Sequence, residues 1–164
     1  MARQGTFKIK GMKKVMNNLH REISAIRGRT LRGLIEAAIV VQRAAEPGTP
    51  VDLNNLRASW FIVTYKADGN KGTITASFKG KGATEIAAHH KQVMDQTSQI
   101  AAMAGGDAIP VVVMGYSANY AAFVHENVEA NFQRPSAKAR WFYLALAQSE
   151  QEILEVIRQY AKVE

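Results

Sequence analysis

The apolar positions of the chain change period several times, and each change marks an element. Phe7-Lys8-Ile9-Lys10 alternates apolar and basic residues, which predicts a short strand ending at Gly11. From Met12 the period becomes helical: Met12, Met16, Leu19, Ile23 and Ile26 fall on one stripe, and Leu31, Leu34, Ala38, Val41 and Ala45 on a second. The step from Ile26 to Leu31 breaks the phase with Gly28 in the break, which predicts a kinked helix or two helices joined near Gly28. A continuous helix over 12–45 would be roughly 50 Å long and could extend toward a partner. Pro47-Gly48-Thr49-Pro50 ends it.

Beyond that point the pattern turns to strands. Ala58–Lys66 is rich in aromatic and β-branched residues, Ala67–Gly72 reads as a hairpin connection, and Thr73–Lys79 alternates cleanly, predicting a sheet with one buried face and one wet or interfacial face. Gly80–Ala83 reads as a loop. Residues 84–104 predict a weakly amphipathic helix with the stripe Ile86, His90, Val93, Thr97, Ile100 and Ala104, capping the sheet or meeting a neighbouring subunit. Ile109–Tyr116 predicts another strand and Ala118–Asn127 a short helix. Ser136, preceded by Pro135, reads as the N-cap of a long C-terminal helix carrying Phe142, Leu146, Ile153, Ile157 and Tyr160. Of the consecutive aromatics Trp141-Phe142-Tyr143, at least one must face away from the core. The order lacks βαβ alternation. It predicts a single α+β domain over 1–164, with an antiparallel sheet of about four strands packed by a long N-terminal helix and a C-terminal helix.

Composition narrows the function classes. At 164 residues and 47% hydrophobic content the chain can bury one core. It contains no Cys, which excludes disulfides, thiolate metal sites and a cysteine nucleophile. The N-terminus has no apolar h-region and no apolar run approaches a bilayer span, so neither a signal peptide nor a membrane role is expected. The net charge of +7 is unevenly placed: residues 1–34 hold nine Lys/Arg against Glu22 alone, and the remainder twelve against thirteen acids. Lys8, Lys10, Lys13, Lys14, Arg21, Arg27, Arg29 and Arg32 therefore form a basic N-terminal part (1–46) that would suit DNA or an acidic protein neighbour, or a plain solvated face.

Catalytic patterns fail one by one. Gly80-Lys81-Gly82 has Glu85 where a dinucleotide fingerprint needs its third glycine, and no P-loop occurs. His125-Glu126 starts a metalloprotease-like pattern, but Glu129 stands where the second His belongs. His89 and His90 are adjacent, about 100° apart on a helix, a poor geometry for a shared metal. Asp52 reads as a loop cap rather than a general base. No cofactor, metal or enzymatic activity is expected.

Two segments carry a resemblance. Pro50-Val51-Asp52-Leu53-Asn54-Asn55-Leu56-Arg57-Ala58-Ser59 resembles the P-V-D-T-G-x-L-R-x-S segment of the tail-completion (head–tail joining) proteins of tailed bacteriophages. Tyr120-Ala121-Ala122-Phe123-Val124-His125-Glu126 resembles that family's Y-A-x-[FY]-V-[HE] segment, and Phe142–Ala145 its C-terminal helix start. Leu53 and Asn54 replace the usual Thr and Gly; Asn is the non-glycine residue that best accepts a left-handed backbone, so the turn can survive. Residues 81–108 look like an insertion beyond the family pattern. The resemblance implies a non-enzymatic virion protein of the neck, made in the host cytoplasm and placed between a portal-side adaptor and the tail terminator or tube. It also implies a homo-oligomer, with possible contact to genomic DNA. Pro50, Val51, Asp52, Leu56, Arg57, Ser59, Tyr120, Ala121, Phe123 and Glu126 would then define the fold. The alternative is a nucleic-acid-binding accessory protein using residues 3–32.

Overall fold

The computed structural model describes residues 12–51, 54–65, 76–105 and 109–162. They form helix α1 (Met12–Ala45), a 3-10 turn (Glu46–Gly48), α2 (Asn55–Ala58), strand β1 (Trp60–Thr64), α3 (Ala83–Ala104), β2 (Val112–Tyr116), α4 (Ala121–Glu126) and α5 (Trp141–Ala161). The fold mixes helix and sheet, with helix dominant. β1 and β2 pair antiparallel with Trp60 opposite Tyr116 and Thr64 opposite Val112. The pairing continues one step further, where the Ser117 N–H donates to the Ser59 carbonyl at 2.9 Å.

Three layers follow from the alternation along β1. Trp60 and Ile62, with Val112, Met114 and Tyr116, pack on Ala38 and Val41 of α1 and on Phe142, Leu146 and Ile153 of α5. Phe61 and Val63 point the other way, where α3 covers them; the Phe61 and His90 rings meet edge-on. All five residues of β1 are buried as a result, so the expectation of a wet second face does not hold for this strand. The α3 helix is held there by Ser98, whose hydroxyl donates to the Thr64 carbonyl at 2.7 Å.

α1 and α5 run antiparallel, with Gly33 of α1 against Tyr160 and Ile157 near the end of α5, and Ala45 in one cluster with Trp141 and Ala145 at its start. That cluster also takes in Leu56 and Ala121 and forms the second part of the core. Burying a side chain such as Val41, 1% exposed, is worth about 1.5–3 kcal/mol.

Several expectations change. α1 passes Gly28 without a break, so one helix is present and not two. Its packed face uses Gly33, Ala37, Ala38, Val40, Val41 and Ala45, while Leu31 and Leu34 stay half-buried. On α3 the buried positions are His90, which lies on the expected stripe, and Ala101, which does not; Ile100 is 61% exposed. α5 begins at Trp141, not at Ser136: Lys138 N–H donates to the Gly48 carbonyl (2.9 Å) and Arg140 N–H to the His125 carbonyl (2.7 Å). Those bonds commit the preceding loop to the body, and the helix starts only where Trp141 enters the core. Trp141 is buried, Phe142 half-buried and Tyr143 exposed, the division the aromatic run required.

The strand at 7–10 and the hairpin at 67–72 lie outside the described residues, as do residues 73–75 of the Thr73–Lys79 strand. Residues 76–79 belong to no strand, so the described sheet has two strands where about four were expected. Lys79 is nevertheless tied down by peptide-like pairing: Asn55 Nδ2 donates to its carbonyl (2.9 Å) and its N–H donates to Asn55 Oδ1 (2.8 Å).

Candidate functional site

The two segments that carry the resemblance meet in space. The first leaves α1 through Pro50 and turns at Asn54, whose left-handed backbone (φ 68°) is the conformation expected of it. The Ser59 hydroxyl, fully buried, donates to the Leu56 carbonyl at 2.7 Å and closes the short α2 turn. Arg57 forms an ion pair with Glu46 and reaches Asn54 Oδ1 at 3.4 Å, tying the turn back to the end of α1. Beside it is a polar hollow of about 280 Å³ between Gln42, Arg57 and Ser77. At its base Thr49 donates to the Ala45 carbonyl (2.9 Å) and pairs with the Tyr116 hydroxyl (3.0 Å). Burial raises the Tyr116 pKa, and the Thr49 bond pulls in the opposite direction.

On the other side of α2 lies a larger, mainly apolar groove of about 570 Å³. Pro50, Val51 and Leu56 from the first segment and Tyr120, Phe123 and Val124 from the second line it, together with the exposed Lys79 and Lys81. Leu56 and Ala121 are buried core residues. Phe123 is not. It is 74% exposed and contributes to the groove surface rather than to the core. Glu126 is exposed as well; it accepts from His125 Nδ1 (2.8 Å) and lies 3.7 Å from Arg140 Nε, joining the end of α4 to the start of α5. Asp52 lies outside the described residues.

The most conspicuous chemical pair was invisible in the sequence because 27 positions separate its members: His90 Nδ1 and Ser117 Oγ are 2.6 Å apart. Both residues are buried, and the Phe61 and Phe78 rings lie edge-on to the imidazole. Burial, with a smaller effect from His89, lowers the His90 pKa and favours the neutral ring. Among the described residues no carboxylate orients this imidazole, and with both members buried the pair is a core hydrogen bond. His89 is exposed, so the adjacent histidines part company. Among the described residues no three His, Asp or Glu side chains stand close enough to hold a metal.

The remaining candidates are on the first half of α1. Lys13, Lys14, Arg21 and Arg32 are exposed, Arg27 and Arg29 half-buried, and Arg21 pairs loosely with Glu22 at 3.6 Å. Lys8 and Lys10 lie outside the described residues. The same stretch exposes its apolar stripe: Met12, Val15, Met16 and Leu19 are 41–62% exposed. Among the described residues no helix is long and apolar enough to cross a membrane. Comparison with protein-family models, with curated proteins and with solved structures finds no match for this chain.

Proposed function

We propose that the chain is a non-enzymatic structural protein of the bacteriophage neck, joining the head connector to the tail as one copy of a ring or other multi-copy assembly. One observation carries the reading: the two segments that resemble tail-completion proteins are far apart in sequence and together line one mainly apolar groove. The projecting, apolar-striped first half of α1 supports it, since a protein working alone has no need of such a surface. In this reading the work is done by assembly geometry, the neighbours are a portal-side adaptor and the tail terminator or tube, and the location is the virion's head–tail junction.

Mass spectrometry of purified particles tests this. The protein should be found in a few copies per virion, at the neck in images of the particle. Its absence from intact particles would overturn the proposal. A second reading, a nucleic-acid-binding accessory protein acting through residues 3–32, rests on the exposed cations of α1. Tight binding of DNA or RNA by the free monomer, falling steeply with salt, would favour it instead.

A further inference from the structure

α1 outruns its partner. α5 ends at Ala161, and its neighbouring residue Tyr160 lies against Gly33, so residues 12–28 continue beyond the body for roughly 25 Å. Along this arm Met12, Met16, Leu19, Ile23 and Ile26 are spaced by four, three, four and three residues, the repeat of a helix seam that receives a second helix. The large residues of that seam are exposed, apart from half-buried Ile23. Lys13, His20 and Arg27 line one edge, and Arg29 shares the other with Glu22. Over 12–27 four Lys/Arg face one acid, a net +3.

The complementary surface is on the same chain. The outer face of α5 exposes Leu144, Ala147, Gln151, Leu154 and Arg158, spaced by three, four, three and four residues. Glu150 stands on one side of this stripe, and Glu155 and Glu152 on the other. The helix holds three acids against Arg158, a net −2. An unbroken α1 directs the arm away from its own α5, so only another molecule can present that face to it.

We infer that the arm of one copy docks along the outer face of α5 of a second copy, seam on seam, with the basic edges of the arm beside Glu150, Glu152 and Glu155. Two alternatives are disfavoured by charge. Arm-to-arm pairing would bring the basic edges of two +3 helices together, and the groove beside α2 has Lys79 and Lys81 in its lining. Two copies that exchange arms reciprocally make a closed two-fold dimer, and copies that each pass the arm to the next make a ring or a filament. The contact does not depend on where the protein works: association is measured on the purified chain and location on virions, so either proposal can fail alone.

Charge exchange tests the contact on the full chain. Sedimentation velocity of the wild type should show concentration-dependent association that weakens with salt. Lys13→Glu with Arg27→Glu, and separately Glu150→Lys with Glu152→Lys and Glu155→Lys, should each weaken association by about tenfold or more. An equimolar mixture of the two variants should recover it, because each opposed surface then meets its complement; a misfolded variant could not do so. A wild type that stays monomeric at every soluble concentration, association that ignores both exchanges, or a mixture that fails to recover would each overturn the inference.

Discussion

The two halves of α1 are one helix with opposite surfaces. From Gly33 to Ala45 the packed residues are small (Gly33, Ala37, Ala38, Val40, Val41, Ala45), and α5 lies close against them. From Met12 to Ile26 the stripe residues are large, and most stand in solvent. Small side chains let a second helix axis approach closely, so the root of α1 already has its partner. Large apolar side chains need a deeper and wider surface than this protein provides to itself. Helicity in the arm does not require that partner. The packed root supplies the nucleus, and adding turns to an existing helix avoids the cost of starting one. Partnering and helix formation are thus separate properties here, and the root and arm should respond differently to substitution.

The largest effect is expected in the root's own cluster. Trp141 is 2% exposed and packs with Ala45, Leu56, Ala121 and Ala145. Trp141→Ala should cost about 3–5 kcal/mol of unfolding free energy, read from a urea transition at low protein concentration. A loss below about 1 kcal/mol, the range of surface changes, would mean that the root is not the packed half. Next is Gly33. A Cβ placed there would lie 2.8 Å from Tyr160 Cβ and 3.6 Å from the Ile157 backbone. Glycine inside a helix ordinarily costs about 0.5–1 kcal/mol relative to alanine, and here the close approach of α5 explains its presence. Gly33→Val should destabilise by about 1–3 kcal/mol through overpacking, whereas Leu19→Val in the arm should leave the monomer's transition within about 0.5 kcal/mol.

What the sequence displayed, and what it hid, follows the same division. Large apolar residues at helical spacing were legible, so α1, α3 and α5 were expected near their observed places. On the packed face of α1 Ala38, Val41 and Ala45 were legible, while Gly33 and Ala37 were missed because they carry little hydropathy, although they permit the closest packing. The phase step beside Gly28 was a step between two faces of one continuous helix. The start of α5 was misread at Ser136 because a local N-cap pattern has no access to the long-range bonds from Lys138 to Gly48 and from Arg140 to His125. Asn54 was legible for the converse reason: its left-handed backbone is a local preference. The groove was half visible. Its lining was noticed as two segments, but their meeting, and with it the exposure of Phe123, needed the fold.

The smallest expected effect lies at the junction of arm and root, and it has the opposite sign. A Cβ at Gly28 would meet nothing within 4 Å, so alanine there adds no clash and removes the backbone freedom that glycine loses on becoming helical. Gly28→Ala should stabilise the arm by about 0.5–1 kcal/mol. Since an arm without tertiary contacts opens on its own, this gain belongs to local fraying and should leave the global urea midpoint nearly unchanged. Hydrogen exchange separates the two quantities: amides in 16–28 should slow by up to about fivefold, while those around Val41 keep the rate set by global unfolding. If the Val41 region slowed equally, arm and root would be one cooperative unit and the contrast between them would fail. If the arm amides in the wild type already exchanged as slowly as the root's at high concentration, and faster on dilution, the arm would be covered by a second molecule, and the substitution should then be repeated in the dilute monomer.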